Sequence, residues 1–198
     1  MSLRFDFEDG GTKSMKTNTI TRREGLVGAG AATATVGIGT DADAATADAV
    51  TFDQTNIKWN TLEGIEHVWY HVLNVDPEAK VVDLLLKFSA NQKIILHRHH
   101  ADYSTFIIQG ELRLYDERGE LTEIRPTASF VEKSGGGAPH TEGGGDIDCI
   151  AWFSNRGTDG MIYEILGPNK ETVATLGLQE FKALWEAQET PVQPYIPG

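Results

Sequence analysis

From Phe52 onwards, short apolar stretches alternate with turn residues at intervals that suit strands rather than helices. Residues 68–73, 81–88, 105–108 and 111–115 read as β, and so do 129–132, 147–153 and 161–166. The Asp-Glu-Arg-Gly step over 116–119 reads as a hairpin connection, with Gly119 able to take the positive φ that a tight turn requires. Many short strands with no helices between them predict an all-β sandwich or barrel. The exception is 178–188, where Leu178, Phe181, Leu184 and Trp185 fall on one helical stripe. This predicts a short C-terminal helix that packs on the barrel or on a partner subunit, and a homodimer or higher homo-oligomer is expected.

The chain has 198 residues, 40% of them hydrophobic, enough for one substantial core plus an appendage. Its formal net charge of -12 excludes a phosphate-backbone partner, because nucleic-acid binding needs a clustered basic face. The same charge disfavours an anionic membrane surface. The single cysteine, Cys149, lies in the apolar run Cys-Ile-Ala-Trp-Phe and reads as a buried structural thiol, and no intramolecular disulfide can form.

Residues 1–49 read as a leader outside the fold, with the barrel domain over 50–198. From Met15 the order is positive, then apolar, then small, which is the order of an export signal. Thr21-Arg22-Arg23 followed by Leu26 resembles a twin-arginine signal, with Gly25 where a phenylalanine is common. Small-residue sites at Ala45-Thr46-Ala47 and Ala47-Asp48-Ala49 offer cleavage points. Export to a bacterial periplasm is therefore expected, the alternative being a low-complexity leader of a cytoplasmic protein. The run over 26–39 is too short and small-sided to anchor in a bilayer, so no membrane insertion is expected.

Three of the six histidines lie in Leu96-His97-Arg98-His99-His100. On a strand, side chains two apart share a face, so His97 and His99 project together while Arg98 and His100 point away. A third imidazole must come from a distant segment, and His140, inside a glycine-rich stretch that reads as loop, supplies one. Three imidazoles on one side of a metal leave its other side open for water, dioxygen or substrate.

The spacing His97-x-His99, three residues, Tyr103, six residues, Gly110 resembles the first motif of the cupins. The stretch 134–140 is similar to the second, with Gly137 three before the histidine and Pro139 beside it, although Gly135 stands where proline is usual. The resemblance covers about Leu62 to Gln188 and looks closest to the ChrR-like cupins, among them small acetylacetone-cleaving and dihydroxyacetophenone-cleaving dioxygenases. It implies a single double-stranded β-helix (jelly-roll) barrel whose His97, His99 and His140 hold one divalent metal ion. Tyr103 occupies the place where many cupins carry a glutamate ligand, and the resemblance then implies a neutral three-histidine centre. Fe(II) is the ion the resemblance favours, although intrinsic affinity at three imidazoles would favour Zn, Cu or Ni, and Mn is a further candidate.

The implied activity is a dioxygenase cleaving a small enolisable ketone or diketone. The alternatives are a non-catalytic metal- or ligand-sensing cupin and a cupin isomerase or epimerase, which the sparse Lys and Arg disfavour. Tyr103 is the candidate catalytic side chain, as a phenolate ligand, a hydrogen-bond donor to substrate, or simply a wall of the pocket. Asp102 and Glu142, adjacent to the histidines in sequence, are candidates for a base or for orienting an imidazole, but the favoured reading of both is a solvated loop carboxylate, and His100 reads as a surface side chain. His67 and His71 read as structural, and Gly135–Gly137 and Gly143–Gly145 as a flexible rim.

Overall fold

A computed structural model describes residues 51–157 and 160–188. The leader, with its export reading, lies outside the described residues.

Eleven strands and one helix follow one another along the described residues. The strands are β1 (Val68–Asp76), β2 (Val81–Phe88), β3 (His97–His99), β4 (Asp102–Gln109), β5 (Glu111–Asp116) and β6 (Leu121–Pro126). They continue with β7 (Phe130–Lys133), β8 (His140–Gly144), β9 (Cys149–Arg156), β10 (Met161–Leu166) and β11 (Thr172–Gly177), and end in α1 (Leu178–Ala187). All strand pairs between them are antiparallel. They form a five-stranded sheet in the order β1-β2-β9-β4-β7 and a six-stranded sheet in the order β11-β10-β3-β8-β5-β6.

The alternation along the strands sets the two faces. Val82, Leu84, Phe88, Ile107, Leu112, Cys149, Ala151 and Phe153 are fully or almost fully buried and, with Val72 and Ile162, make the core between the sheets. The hairpin over 116–119 forms as expected. Asp116 Oδ1 accepts from Arg118 N and Glu120 N at 2.9 and 3.0 Å, and Gly119 takes φ +85°. Gly110 turns β4 into β5 at φ +69°, where a Cβ would sit 2.8 Å from Asp148 O, so the glycine at that motif position is required on two counts.

Helix α1 packs on β1, β2 and β11. Phe181 is its buried anchor, Leu178 and Leu184 are partly buried against the core, and Trp185 at 37% exposure lies off the contact. Beyond the helix, the Gln188 amide acts as one more β-rung on the edge of β1: Oε1 accepts from Val72 N at 3.0 Å and Nε2 donates to Val72 O at 2.7 Å. No helix among the described residues is long and apolar enough to cross a membrane.

Two expectations about the glycine-rich segment need correction. His140 and Glu142 lie on strand β8 rather than in a loop, because β8 is hydrogen-bonded between β3 and β5. Gly143 and Gly144 are buried there against backbone: a Cβ on Gly143 would sit 1.9 Å from Gln92 O, and one on Gly144 would sit 2.7 Å from Ser89 O. They are close-packing positions, not a flexible rim. Gly136 and Gly137 do face open space.

Candidate metal centre

Strand β3 carries His97 and His99 on its inward face, both 3% exposed, with Arg98 turned outward to Glu164 at 3.4 Å. Strand β8 carries its own pair two residues apart, His140 and Glu142. His97 lies opposite His140 in the register, so the two pairs meet across the sheet. His97 Nε2 and His99 Nε2 are 3.1 Å apart, and Glu142 reaches His97 Nε2 with one oxygen and His140 Nε2 with the other, each at 3.7 Å. One ligand atom from each of the four residues lies within 4.8 Å of all the others.

Glu142 is 1% exposed, so the expectation of a solvated loop carboxylate is wrong. The neutral three-histidine set is replaced by three imidazoles and one carboxylate. The acid comes from the strand of the third histidine, not from the Tyr103 position four residues after the second. Asp102 is exposed, as expected, but stands at the start of strand β4 rather than in a loop, accepting from Gly135 N at 2.9 Å. His100 lies at the surface with Nε2 2.9 Å from Glu164. His67 is partly exposed, and His71 is buried with Nδ1 3.0 Å from Lys58 O, and neither belongs to the cluster.

The surroundings fit a cation. Nδ1 of His97 lies 3.1 Å from Ile95 O and Nδ1 of His140 lies 3.2 Å from Ala138 O. Each carbonyl selects the tautomer that keeps the proton on Nδ1 and leaves the Nε2 lone pair for a metal. Glu142 Oε1 and His140 Nε2 are buried without a hydrogen-bond partner, and two Nε2 atoms face each other, an arrangement that a shared cation would satisfy. Burial holds His97 down to about 4 and His99 well below the usual imidazole range, so both are neutral and ready to donate a lone pair. Burial opposes ionisation of His140 and of Glu142 alike. Their mutual attraction overcomes it, raising His140 and, with the neighbouring imidazoles, lowering Glu142 to about 2.

Two cavities reach the cluster. One is apolar, with Leu62, Ile65, Phe181 and Leu184 on its walls and His97, Glu142 and Tyr163 at its inner end. The other is a polar mouth, where His99 and His140 meet Tyr103, Glu123, Arg125 and Lys133. Tyr103 packs on His99 with ring centroids 4.1 Å apart and the planes tilted by 40°, and burial, reinforced by Glu142, pushes its hydroxyl up to about 12, which makes a phenolate unfavourable. Tyr163 meets His99 edge-on, with ring centroids 4.7 Å apart. Neither Arg125 nor Tyr163 stood out in the sequence. Tyr163 lies on a strand whose sequence gives it no role, and Arg125 sits in a polar stretch, ahead of Pro126, that carries no strand pattern.

No family model matches the sequence, and no curated protein is significantly similar to it. Solved structures do match the fold. An acetylacetone dioxygenase from Acinetobacter johnsonii superposes with a TM-score of 0.55 at 16% identity, over 71% of this chain and 91% of its own. An RmlC-like cupin protein from Ralstonia eutropha JMP134 gives 0.51 at 17% identity, over 61% of this chain and 73% of its own. The two-sheet antiparallel barrel, the short C-terminal helix and these likenesses define the fold as all-β and cupin.

Proposed function

We propose that this chain is a metal-dependent cupin dioxygenase acting on a small enolisable ketone or diketone, with His97, His99, His140 and Glu142 holding one divalent ion. The observation that carries the reading is the convergence of four buried donor atoms, two of them without any other partner. Ferrous iron is the favoured ion, and when bound it supplies Lewis-acid polarisation of two ketone oxygens together with electrons for dioxygen. The acetylacetone-cleaving activity named for one fold neighbour is consistent with this choice of substrate class.

The chain's own residues divide the remaining work. Glu142 adds one negative charge to three neutral imidazoles, which lowers the net charge of the centre and favours the more oxidised state of an ion held there. His97 and His140 are held in orientation by the backbone carbonyls of Ile95 and Ala138. The apolar cavity excludes water on the side of His97 and Glu142, and Tyr103 offers a neutral hydroxyl on the polar side.

Two measurements test the reading. Protein purified without metal-affinity resin should contain about one divalent ion per chain, and His97→Ala or His140→Ala should lose it. Full metal occupancy in either variant refutes the ligand assignment. After anaerobic iron loading, oxygen uptake should follow addition of an enolisable diketone or aryl ketone, and no uptake across a diverse panel rejects the dioxygenase.

A further inference from the structure

The two cavities that meet at the four donors differ in what they can hold. The polar mouth beside His99 and His140 measures about 270 Å³ and carries Glu123, Arg125 and Lys133 on its walls. The apolar cavity on the side of His97 and Glu142 measures about 60 Å³. One water needs roughly 10–15 Å³ and an apolar cavity of about 150 Å³ holds one benzene, so the apolar cavity suits a molecule of a few atoms and not an aryl ketone. Most of its wall is aliphatic or phenyl, with Leu62, Leu86, Ile95, Ile165, Phe181 and Leu184 among the lining residues. A water away from the inner end would lack the polar partners that hold a buried water in place.

Protein cores are close-packed, and unfilled space costs stability. The residues around this space pack well elsewhere: Leu84, Leu176 and Phe181 on its wall are 1%, 4% and 3% exposed. A void kept open beside His97 and Glu142 is better explained by an occupant than by loose packing. A nonpolar diatomic gas makes no hydrogen bonds and gains by leaving water, so it matches both the size and the lining. We propose that the apolar cavity is a holding site for dioxygen, separate from the polar mouth that takes the organic substrate. A ketone seated in the mouth then leaves the approach on the His97 and Glu142 side open. This rests on the dioxygenase reading for the identity of the gas, whereas the preference for a small nonpolar molecule rests on the cavity alone.

The test uses the full chain in solution with xenon as the nonpolar probe, titrated by xenon NMR and located by the protein resonances it shifts. Binding should saturate, with the shifts concentrated at Leu86, Ile165 and Phe181. Leu86→Phe, which fills part of the space, should weaken xenon binding about fivefold. In the iron-loaded protein the same variant should lower kcat/KM for dioxygen about fivefold and change kcat/KM for the ketone by less than about twofold. A merely structural role for Leu86 would not separate the two substrates. No saturable xenon binding, shifts confined to the polar mouth, unaltered xenon affinity in Leu86→Phe, or an equal fall for both substrates overturns the proposal. If Leu86→Phe does not fold, Leu62→Phe, which lies outside the strands, takes its place with the same expected outcomes. Xenon bound as expected with no oxygen consumed for any ketone overturns the dioxygenase reading and the identity of the gas with it. Oxygen consumed without xenon binding overturns only the separate holding site.

Discussion

Gly143→Ala adds one methyl group at a place where the structure has no room for it. The new Cβ would lie 1.9 Å from Gln92 O, 3.0 Å from Gln92 C and 3.4 Å from Lys93 Cα, all backbone atoms that no rotamer change can move. Restoring ordinary contact requires a displacement of about 1.5 Å between β8 and the segment before β3. That segment is stitched to β8 by Ile94 N to Glu142 O at 2.8 Å, Asn91 N to Gly144 O at 3.2 Å and Gly144 N to Ser89 O at 3.2 Å. Overpacking of this kind costs about 1–3 kcal/mol, and one lost backbone hydrogen bond adds about 1 kcal/mol. A loss of about 2–4 kcal/mol corresponds to a fall in melting temperature of about 5–15 °C for a domain of this size. Because Glu142 and His140 ride on the same strand, metal uptake should weaken in parallel. Differential scanning calorimetry with metal analysis checks both, and Gly137→Ala, with nothing within 4 Å of its Cβ, should stay within about 1 °C of wild type. A Gly143→Ala protein with wild-type melting and full metal occupancy would refute the packing argument.

Three further outcomes follow from the same geometry. Phe181→Ala, which empties the 3% exposed anchor of α1 against Tyr163, should cost about 3 kcal/mol in urea unfolding, and a loss below about 1 kcal/mol would show that the helix is not held through this ring. Cys149 is fully buried and its thiol is raised by that burial, so it should resist a thiol reagent until urea unfolds the barrel, and prompt labelling of the native protein would contradict the core assignment. The hydrogen bond from Arg125 lowers Glu123 below the usual carboxylate value of 4.5. A depressed folded-state value gives stability that is present above pH 4.5 and lost as pH falls through the folded value, so Glu123→Gln should be less stable at neutral pH and flatter in stability below pH 4.5. An unchanged pH slope of urea midpoints would argue against the pair.

The legible part of the fold was the part written in period two. Residues 81–88 and 161–166 alternate or run apolar long enough to read as strands, and the helical stripe of Leu178, Phe181 and Leu184 carries its own period. The strands β6, β8 and β11 escaped because large apolar residues are few in them (Leu121 and Ile124 in β6, Val173 and Leu176 in β11, none in β8) and they are held in place by neighbours on both sides or one rather than by local propensity. His97, His99 and His140 could be picked out because the i, i+2 rule and motif spacing act on residue types that are rare. Glu142 obeys the same rule from His140, but the glycines after it signal a loop, and the motif places an acid four residues beyond His99, where Tyr103 stands. Arg125 could not be found from sequence, since only the folded barrel turns a charged residue on an apparently exposed segment into its interior.

The pairing of His97 with His140 has a consequence for assembly. Two short strands each present donors at alternate positions, so sliding one past the other by a single residue would turn Arg98 inward in place of the β3 imidazoles, or Thr141 in place of His140 and Glu142. Only one alignment brings all four donors to a common point. An ion that needs four donors would therefore bind one alignment and ignore its neighbours, serving as a proofreader of strand pairing in a sheet whose β3 has just three residues to specify its own place.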